Sequence, residues 1–271
     1  MDKVKERGLV LLGCGRMGSA MLAGWLARGL PAGAVWVQEP QPSDWLKART
    51  GEGLHLNETL PASPAVVLVA VKPQMMHEAL PALAPLGNGK TVFLSVAAGI
   101  PIAAYEQMLG SDTPVIRAMP NTPAAVGRGI TALAGNACAG ADDMALAETL
   151  LSAVGETVRL ENESQIDAVT GISGSGPAYV FHLIECLAAA GAAEGLPPDL
   201  AMRLARATVA GAGHLAEVSG EGPDELRRNV TSPGGTTEAA LGVLMDERTG
   251  LPPLIRRTVH AAVERSKELG R

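Results

Sequence analysis

Through the first half of the chain, apolar residues gather in five short runs: Gly8–Leu12, Ala34–Val37, Val66–Val71, Thr91–Val96 and Val115–Met119. Runs of this length, rich in Val and Leu and free of polar alternation, predict strands covered on both faces. Helix-like or loop segments separate them, beginning with a helical pattern that follows the first run and continues to about Arg28. Strand, helix and strand in alternation is the rhythm of a parallel sheet with helices on both sides. Beyond about residue 160 the period changes, with long helical stretches at 177–194, 198–219 and 252–269 and a break at Ser232-Pro-Gly-Gly235. The expected architecture is α/β: a Rossmann-type doubly wound sheet over residues 1–160 and an all-helical domain over 161–271.

The helical half contains Ala188-Ala-Ala-Gly191 and Ala207-Thr-Val-Ala-Gly-Ala-Gly213. Small side chains allow helix backbones to approach closely, so a tight bundle is expected, either within one chain or shared between copies. The 271 residues, 47% of them hydrophobic, are enough for two buried cores. A net charge of −6 without a basic stripe gives no footprint for nucleic acid and favours a small diffusible ligand. Cys14, Cys138 and Cys186 form no CxxC pair, which points to a reducing compartment. The charged start, running straight into a strand, reads as cytoplasmic. The Ala-rich stretch at 187–193 is short and flanked by Glu185 and Glu194, so no membrane span is expected. The five histidines show no HxH or HxxxH spacing, and no metal is expected.

Gly13-Cys-Gly15-Arg-Met-Gly18 lies between the first strand and the first long helix, the setting in which a glycine pattern becomes a dinucleotide fingerprint. The first glycine permits the turn, the second admits a pyrophosphate, and the third brings helix and strand together. The alternatives are a glycine turn in an unrelated α/β protein or a methyltransferase loop. Glu39 follows the second strand, about twenty residues past the turn, where a carboxylate accepts hydrogen bonds from an adenosine ribose. That favours NADH; the bland reading is a solvated turn carboxylate. Lys72 follows another strand at the sheet's carboxyl edge, where it either meets the cofactor or snorkels as a surface lysine.

Five further segments occur in order: Ala70-Val-Lys-Pro73, Val96-Ala-Ala-Gly99, Met119-Pro-Asn-Thr-Pro123, Gly171-Ile-Ser-Gly-Ser-Gly-Pro-Ala-Tyr179 and Val230-Thr-Ser-Pro-Gly-Gly-Thr-Thr237. The series closely resembles the pyrroline-5-carboxylate reductase family over essentially the whole chain. The resemblance implies a Rossmann domain, a helical domain that dimerises by interlocking, frequent assembly of dimers into rings, and reduction of 1-pyrroline-5-carboxylate to L-proline by NADPH or NADH. It implies cofactor contacts at Gly13, Cys14, Gly15, Arg16, Met17 and Gly18, at Asn57, at Ala70, Val71, Lys72 and Pro73, and at Val96, Ala97 and Ala98. It implies substrate contacts at Glu163, Asn229, Ser232, Gly234, Gly235, Thr236 and Thr237. Many relatives carry Ser or Arg after the second strand and prefer NADPH, where this chain has Gln38-Glu39.

The imine carries a carboxylate, a ring nitrogen and a carbon that receives hydride. Ser232 to Thr237 open an apolar helical run, so hydroxyls and glycine amides at a helix start can hold a carboxylate without arginine; an ordinary helix cap is the alternative. A protonated imine is already electrophilic, which makes positioning matter more than a strong acid. Thr237 is expected to donate or relay a hydrogen bond at the ring nitrogen, the role the resemblance supports. Gly174-Ser-Gly-Pro-Ala178 reads equally as a pocket wall or a helix entry. Two rivals stand beside this reading. A β-hydroxyacid dehydrogenase needs a lysine in the second domain, and none lies between Lys90 and Lys267. A noncatalytic dinucleotide sensor would keep the fold and lose Ser232–Thr237.

Overall fold

A computed structural model of the protein describes residues 1–87 and 89–270. It forms two compact units, Met1–Gly174 joined by the residues from Ala262 on, and Ser175–Ala261. The sequence pattern changes earlier, near residue 160.

In the first unit α1 (Asp2–Arg7) leads into β1 (Leu9–Leu12), followed by α2 (Arg16–Ala27), β2 (Val35–Gln38), α3 (Asp44–Arg49) and β3 (His55–Leu56). Next come β4 (Val66–Val69), the single turn α4 (Met76–Ala79), β5 (Val92–Ser95), α5 (Ile102–Leu109) and β6 (Val115–Met119). The sheet is completed by β7 (Gly129–Gly135), α6 (Ala141–Leu151) and β8 (Gly155–Arg159), after which comes the short α7 (Ile166–Val169). Strand order is β3-β2-β1-β4-β5-β6-β7-β8, so the first six strands have the 3-2-1-4-5-6 order of a dinucleotide fold, with its switch point between β1 and β4.

Alternate residues of the central strands supply two separate cores. Leu9, Leu11, Val66, Leu68 and Leu94 face one side with Trp25 and Leu150, while Val10, Leu12, Val67, Val69 and Phe93 face the other with Tyr105 and Leu109. Burial on both faces is what the unbroken apolar runs predict. The expected strands agree with β1, β2, β4, β5 and β6 apart from their ends. β3, β7 and β8 are additions. β3 has only two residues, and β8 presents exposed polar positions, so neither leaves an apolar run to read. β7 pairs antiparallel with β6, as a short connection without a crossover helix requires.

Helix α2 holds the switch point to the far end of the sheet. Trp25 is 1% exposed and its indole Nε1 donates to the Leu150 carbonyl at 2.8 Å, on the helix between β7 and β8.

The second unit comprises α8 (Gly176–Ala193), α9 (Pro198–Val218), α10 (Pro223–Asn229), α11 (Thr236–Leu244) and the first part of α12 (Leu251–Leu269). Ala188, Ala201 and Ala205 are its buried apolar residues, and a Cβ on Gly191 would stand 3.3 Å from that of Ala201. Phe181, Leu187, Leu204, Leu215 and Val243 are exposed. Small residues inside and large apolar ones outside describe helices that remain uncovered in one chain. The helical run Glu163–Ala193 is, by length and composition, long and apolar enough to cross a bilayer, contrary to the expectation of no such segment, because its apolar character is spread between Asp167, His182 and Glu185 rather than gathered in one unbroken stretch.

Replacing Trp25 with Phe removes the indole hydrogen bond, leaves the Leu150 carbonyl with only its Ser152 backbone donor, and is expected to lower stability by about 1 kcal/mol. Urea unfolding followed by circular dichroism reads this directly; an unchanged midpoint and slope would show that the indole hydrogen bond contributes nothing.

Candidate active site

The glycine turn sits at the carboxyl ends of β1 and β4. Gly13 has a φ of 88°, and a side chain there would come within 3.0 Å of the Ala70 backbone carbonyl. Gly18 lies so close to the strand that a Cβ would be 2.4 Å from the Gly13 carbonyl oxygen. Gly15, by contrast, has no atom within 4 Å of where its Cβ would be. The turn is therefore closed on its protein side and open beside the first amides of α2, which have no partner within the helix. The open side, where Arg16, Met17 and Gly18 form the helix start, has the shape and free amides that would suit a dinucleotide's pyrophosphate. Cys14 is buried and its thiol pKa is raised, first by burial and further by the Glu39 charge, against a lowering hydrogen bond from Ser19.

Glu39 reaches back into the turn. Its Oε2 accepts from the Cys14 amide at 2.8 Å and its Oε1 from the Gln41 amide at 3.0 Å. Asn57 holds the Glu39 backbone from both sides, donating Nδ2–H to its carbonyl at 2.9 Å and accepting its amide at 2.8 Å. Asn57 does so at a φ of 54°, a backbone state among the described residues that only it and glycines adopt. The Glu39 carboxylate is thus fixed beside the pyrophosphate turn rather than free in solvent. Ala70, Val71, Lys72 and Pro73 continue from β4 into a tight turn, with Lys72 exposed.

After β5, the loop carrying Val96, Ala97 and Ala98 is tied at both ends. The Ala97 amide donates to Ser95 Oγ at 3.2 Å, and Ser95 Oγ is hydrogen-bonded to the Tyr105 hydroxyl. At the other end the Ile102 amide, first in α5, donates to Glu163 Oε1 at 2.8 Å. The same oxygen receives Arg117 Nη1 at 2.8 Å. Arg117 is 7% exposed, and Tyr105 is fully buried, its hydroxyl pKa pushed up to about 12, mainly by burial. Arg117, Tyr105 and Ser95 were not singled out from sequence. The available signal was a charged residue inside an apolar strand, since a guanidinium is buried only when paired.

In the second unit, Asn229 ends α10 and donates Nδ2–H to Glu221 at 2.9 Å. Ser232 to Gly235 form a turn in which the Gly235 amide donates to the Ser232 carbonyl at 3.0 Å. The Gly234 amide donates to Glu238 Oε2 at 2.7 Å. Both glycine amides expected to hold an anion are thus engaged within the chain, leaving the Thr236 and Thr237 amides as first-turn donors of α11. Thr237 is half-buried. Among the described residues, no three His, Cys, Asp or Glu side chains gather in a metal-binding group.

A glycine turn at the switch point of a 3-2-1-4-5-6 sheet, followed by a helical unit, is the architecture of a dinucleotide-dependent oxidoreductase of the Rossmann class. Residues 8–99 match the family described as NADP oxidoreductase, coenzyme F420-dependent, and residues 163–269 match the pyrroline-5-carboxylate reductase dimerisation family. The pyrroline-5-carboxylate reductase of Pseudomonas aeruginosa is 40% identical over 264 residues, spanning 96% of each chain. A pyrroline-5-carboxylate reductase structure from Coxiella burnetii superposes with a TM-score of 0.90 at 32% identity, covering 98% of this chain and 99% of that one. One from Plasmodium falciparum, with NADP bound, gives 0.83 at 28% identity, covering 98% and 99%. The chain belongs to the pyrroline-5-carboxylate reductase family. As a member it is an NAD(P)H-dependent oxidoreductase that reduces 1-pyrroline-5-carboxylate to L-proline, the last step of proline biosynthesis. The dimerisation match accounts for the uncovered apolar helices: the protein is a homo-oligomer.

The open space at Gly15 generates a sharp expectation. Gly15→Ala has room in the free protein and a permitted backbone, so the melting temperature should hold, while the methyl group intrudes on the pyrophosphate. The dinucleotide KM should rise by roughly tenfold or more, corresponding to about 1.4 kcal/mol. A variant with wild-type KM would place the pyrophosphate elsewhere.

Proposed function

We propose that the dinucleotide lies across the turn Gly13 to Gly18, against Glu39, Asn57, Ala70 to Pro73 and Val96 to Ala98. The imine is proposed to be held by Glu163, Asn229, Ser232 and Gly234 to Thr237. The observation that carries the cofactor half is the open cradle at Gly15 with a fixed carboxylate beside it. When bound, the reduced nicotinamide supplies the hydride. The chain's own task is to present the imine carbon, exclude water and hold the ring nitrogen. Its amides at the start of α11 take the substrate carboxylate, which replaces Glu238 at Gly234 or uses Thr236 and Thr237. The Thr237 hydroxyl meets the ring nitrogen. Initial rates with pyrroline-5-carboxylate and each dinucleotide test the whole; folded protein inactive with both would end this reading, and leave the sensor alternative.

The functional particle on this reading is a homodimer or an assembly of dimers in the cytoplasm, acting on a small molecule without nucleic acid or membrane. Three free cysteines accord with a reducing compartment, and a second copy rather than lipid covers the apolar helices.

Glu39 lowers the preference for NADPH on this reading. Its carboxylate is half-buried and anchored by two amides, so a 2′-phosphate brought beside it meets an unscreened like charge, whereas a ribose hydroxyl meets an acceptor. Glu39→Ser should move the ratio of kcat/KM for the two dinucleotides toward NADPH, at a stability cost of about 1 kcal/mol from the lost amide bonds. An unchanged ratio removes Glu39 from cofactor selection.

Thr237→Val keeps the bulk and removes the hydroxyl. The expected loss in kcat/KM for the imine is roughly ten- to a hundredfold, the effect of one hydrogen bond to a charged group, with dinucleotide KM unchanged. Kinetics paired with a melting curve separates this from a capping role: wild-type turnover with a lower melting temperature would assign the hydroxyl to the helix alone.

A further inference from the structure

The loop Val96–Pro101 is strung between two points of a single polar cluster. Ser95 and Arg117 are directly paired across β5 and β6, so their side chains leave the same face of the sheet. Tyr105, from α5, covers that face and is hydrogen-bonded to Ser95. Ser95 Oγ holds the Ala97 amide at the start of the loop, and Glu163 Oε1 holds the Ile102 amide at its end. In the middle, Gly99 lies against Leu269, whose Cβ would be 3.1 Å from a side chain placed there. Arg117 touches neither end of the loop, but its Nη1 donates to the oxygen that fixes the far one.

We infer that Arg117 is a positioning residue for hydride transfer: through Glu163 it sets the register at which the Val96–Ala98 loop meets the dinucleotide. A buried guanidinium is retained in a strand otherwise made of apolar side chains, and it pairs with a half-buried carboxylate from the far end of the unit. For packing alone an apolar pair of similar volume would serve as well or better. What the ion pair adds is direction. It orients one carboxylate oxygen at the first amide of α5, a donor with no partner inside its own helix, and so fixes where the loop must end. This inference rests on the proposed contact between Val96–Ala98 and the cofactor.

The test compares Arg117→Met, Arg117→Lys and Glu163→Gln with the wild-type enzyme, reading the KM for NADH, the KM for the imine, kcat and melting temperature. Arg117→Met should raise the NADH KM by roughly tenfold, the scale of one lost charged hydrogen bond. Arg117→Lys should restore most of it, because the observed contact uses a single nitrogen. Arg117→Met combined with Glu163→Gln should be less impaired in NADH KM than the product of the single effects, as expected for residues acting through one bond. If Arg117→Met does not fold, the Arg117→Lys and Glu163→Gln variants and their double mutant carry the same comparison. A variant that only melts earlier, with both KM values and kcat unchanged, would overturn the inference, as would equal damage by Lys and Met or strict additivity. Ala98→Glu, on the exposed part of the loop, is the control for the underlying contact. If it leaves the NADH KM unchanged, the contact between loop and cofactor fails. If it raises that KM while Arg117→Met does not, the contact stands and only the role of Arg117 falls.

Discussion

The first unit depends on how close α2 is allowed to come to the sheet. Gly18 rests on the Gly13 carbonyl, Gly24 leaves space in which a Cβ would be 2.8 Å from the Ala153 carbonyl, and Trp25 donates to Leu150. One helix therefore fixes three things together: the orientation of its own first amides toward the turn, the shape of that turn, and the attachment of α6 and the following turn near β7 and β8. The anion cradle and the far edge of the sheet are set by the same contacts. A wider separation at Gly18 would move the helix start and loosen the Trp25 anchor with it.

The two units use side-chain size in opposite ways. In the first, bulky residues fill two cores on either side of the sheet, and two of the buried polar groups, Arg117 and Ser95, are satisfied by specific partners near the carboxyl edge. In the second, alanine and glycine occupy the interior between helices and the large apolar side chains point outward. A core of that composition stabilises a single chain weakly. Covering the outward residues in the homo-oligomer would add apolar burial that the single chain lacks, and to that extent folding of the helical unit and assembly would be linked by mass action.

Much of this was legible from residue order. Five of the eight strands stand out because burial on both faces leaves unbroken apolar runs, and the glycine turn stands out because its three glycines answer to three different steric demands. β7 and β8 did not stand out: β8 carries exposed Glu156 and Arg159, and β7 spaces its two bulky aliphatics, Ile130 and Leu133, among glycine, threonine and alanine. Glu39 stands just past β2 in the sequence, but the bond from the Cys14 amide to its carboxylate depends on a tertiary fold that brings residue 39 against residue 14. The network around Arg117 was not legible because its members come from positions 95, 102, 105, 117 and 163, which only the sheet register and the covering helix bring together. The engagement of Gly234 by Glu238 was missed for a local reason, since a glutamate four residues on reads first as a helix-surface charge.

Cys14 lies in the middle of the glycine turn, yet its thiol is sheltered. Thiolate is the form that reacts with peroxides and alkylating agents, and burial together with the neighbouring Glu39 charge disfavours it. The other cysteines, Cys138 and Cys186, are exposed in the single chain. An oxidant would thus meet the exposed Cys138 on the first unit before the sheltered Cys14, and the turn between β1 and α2 would be the later of the two to be modified.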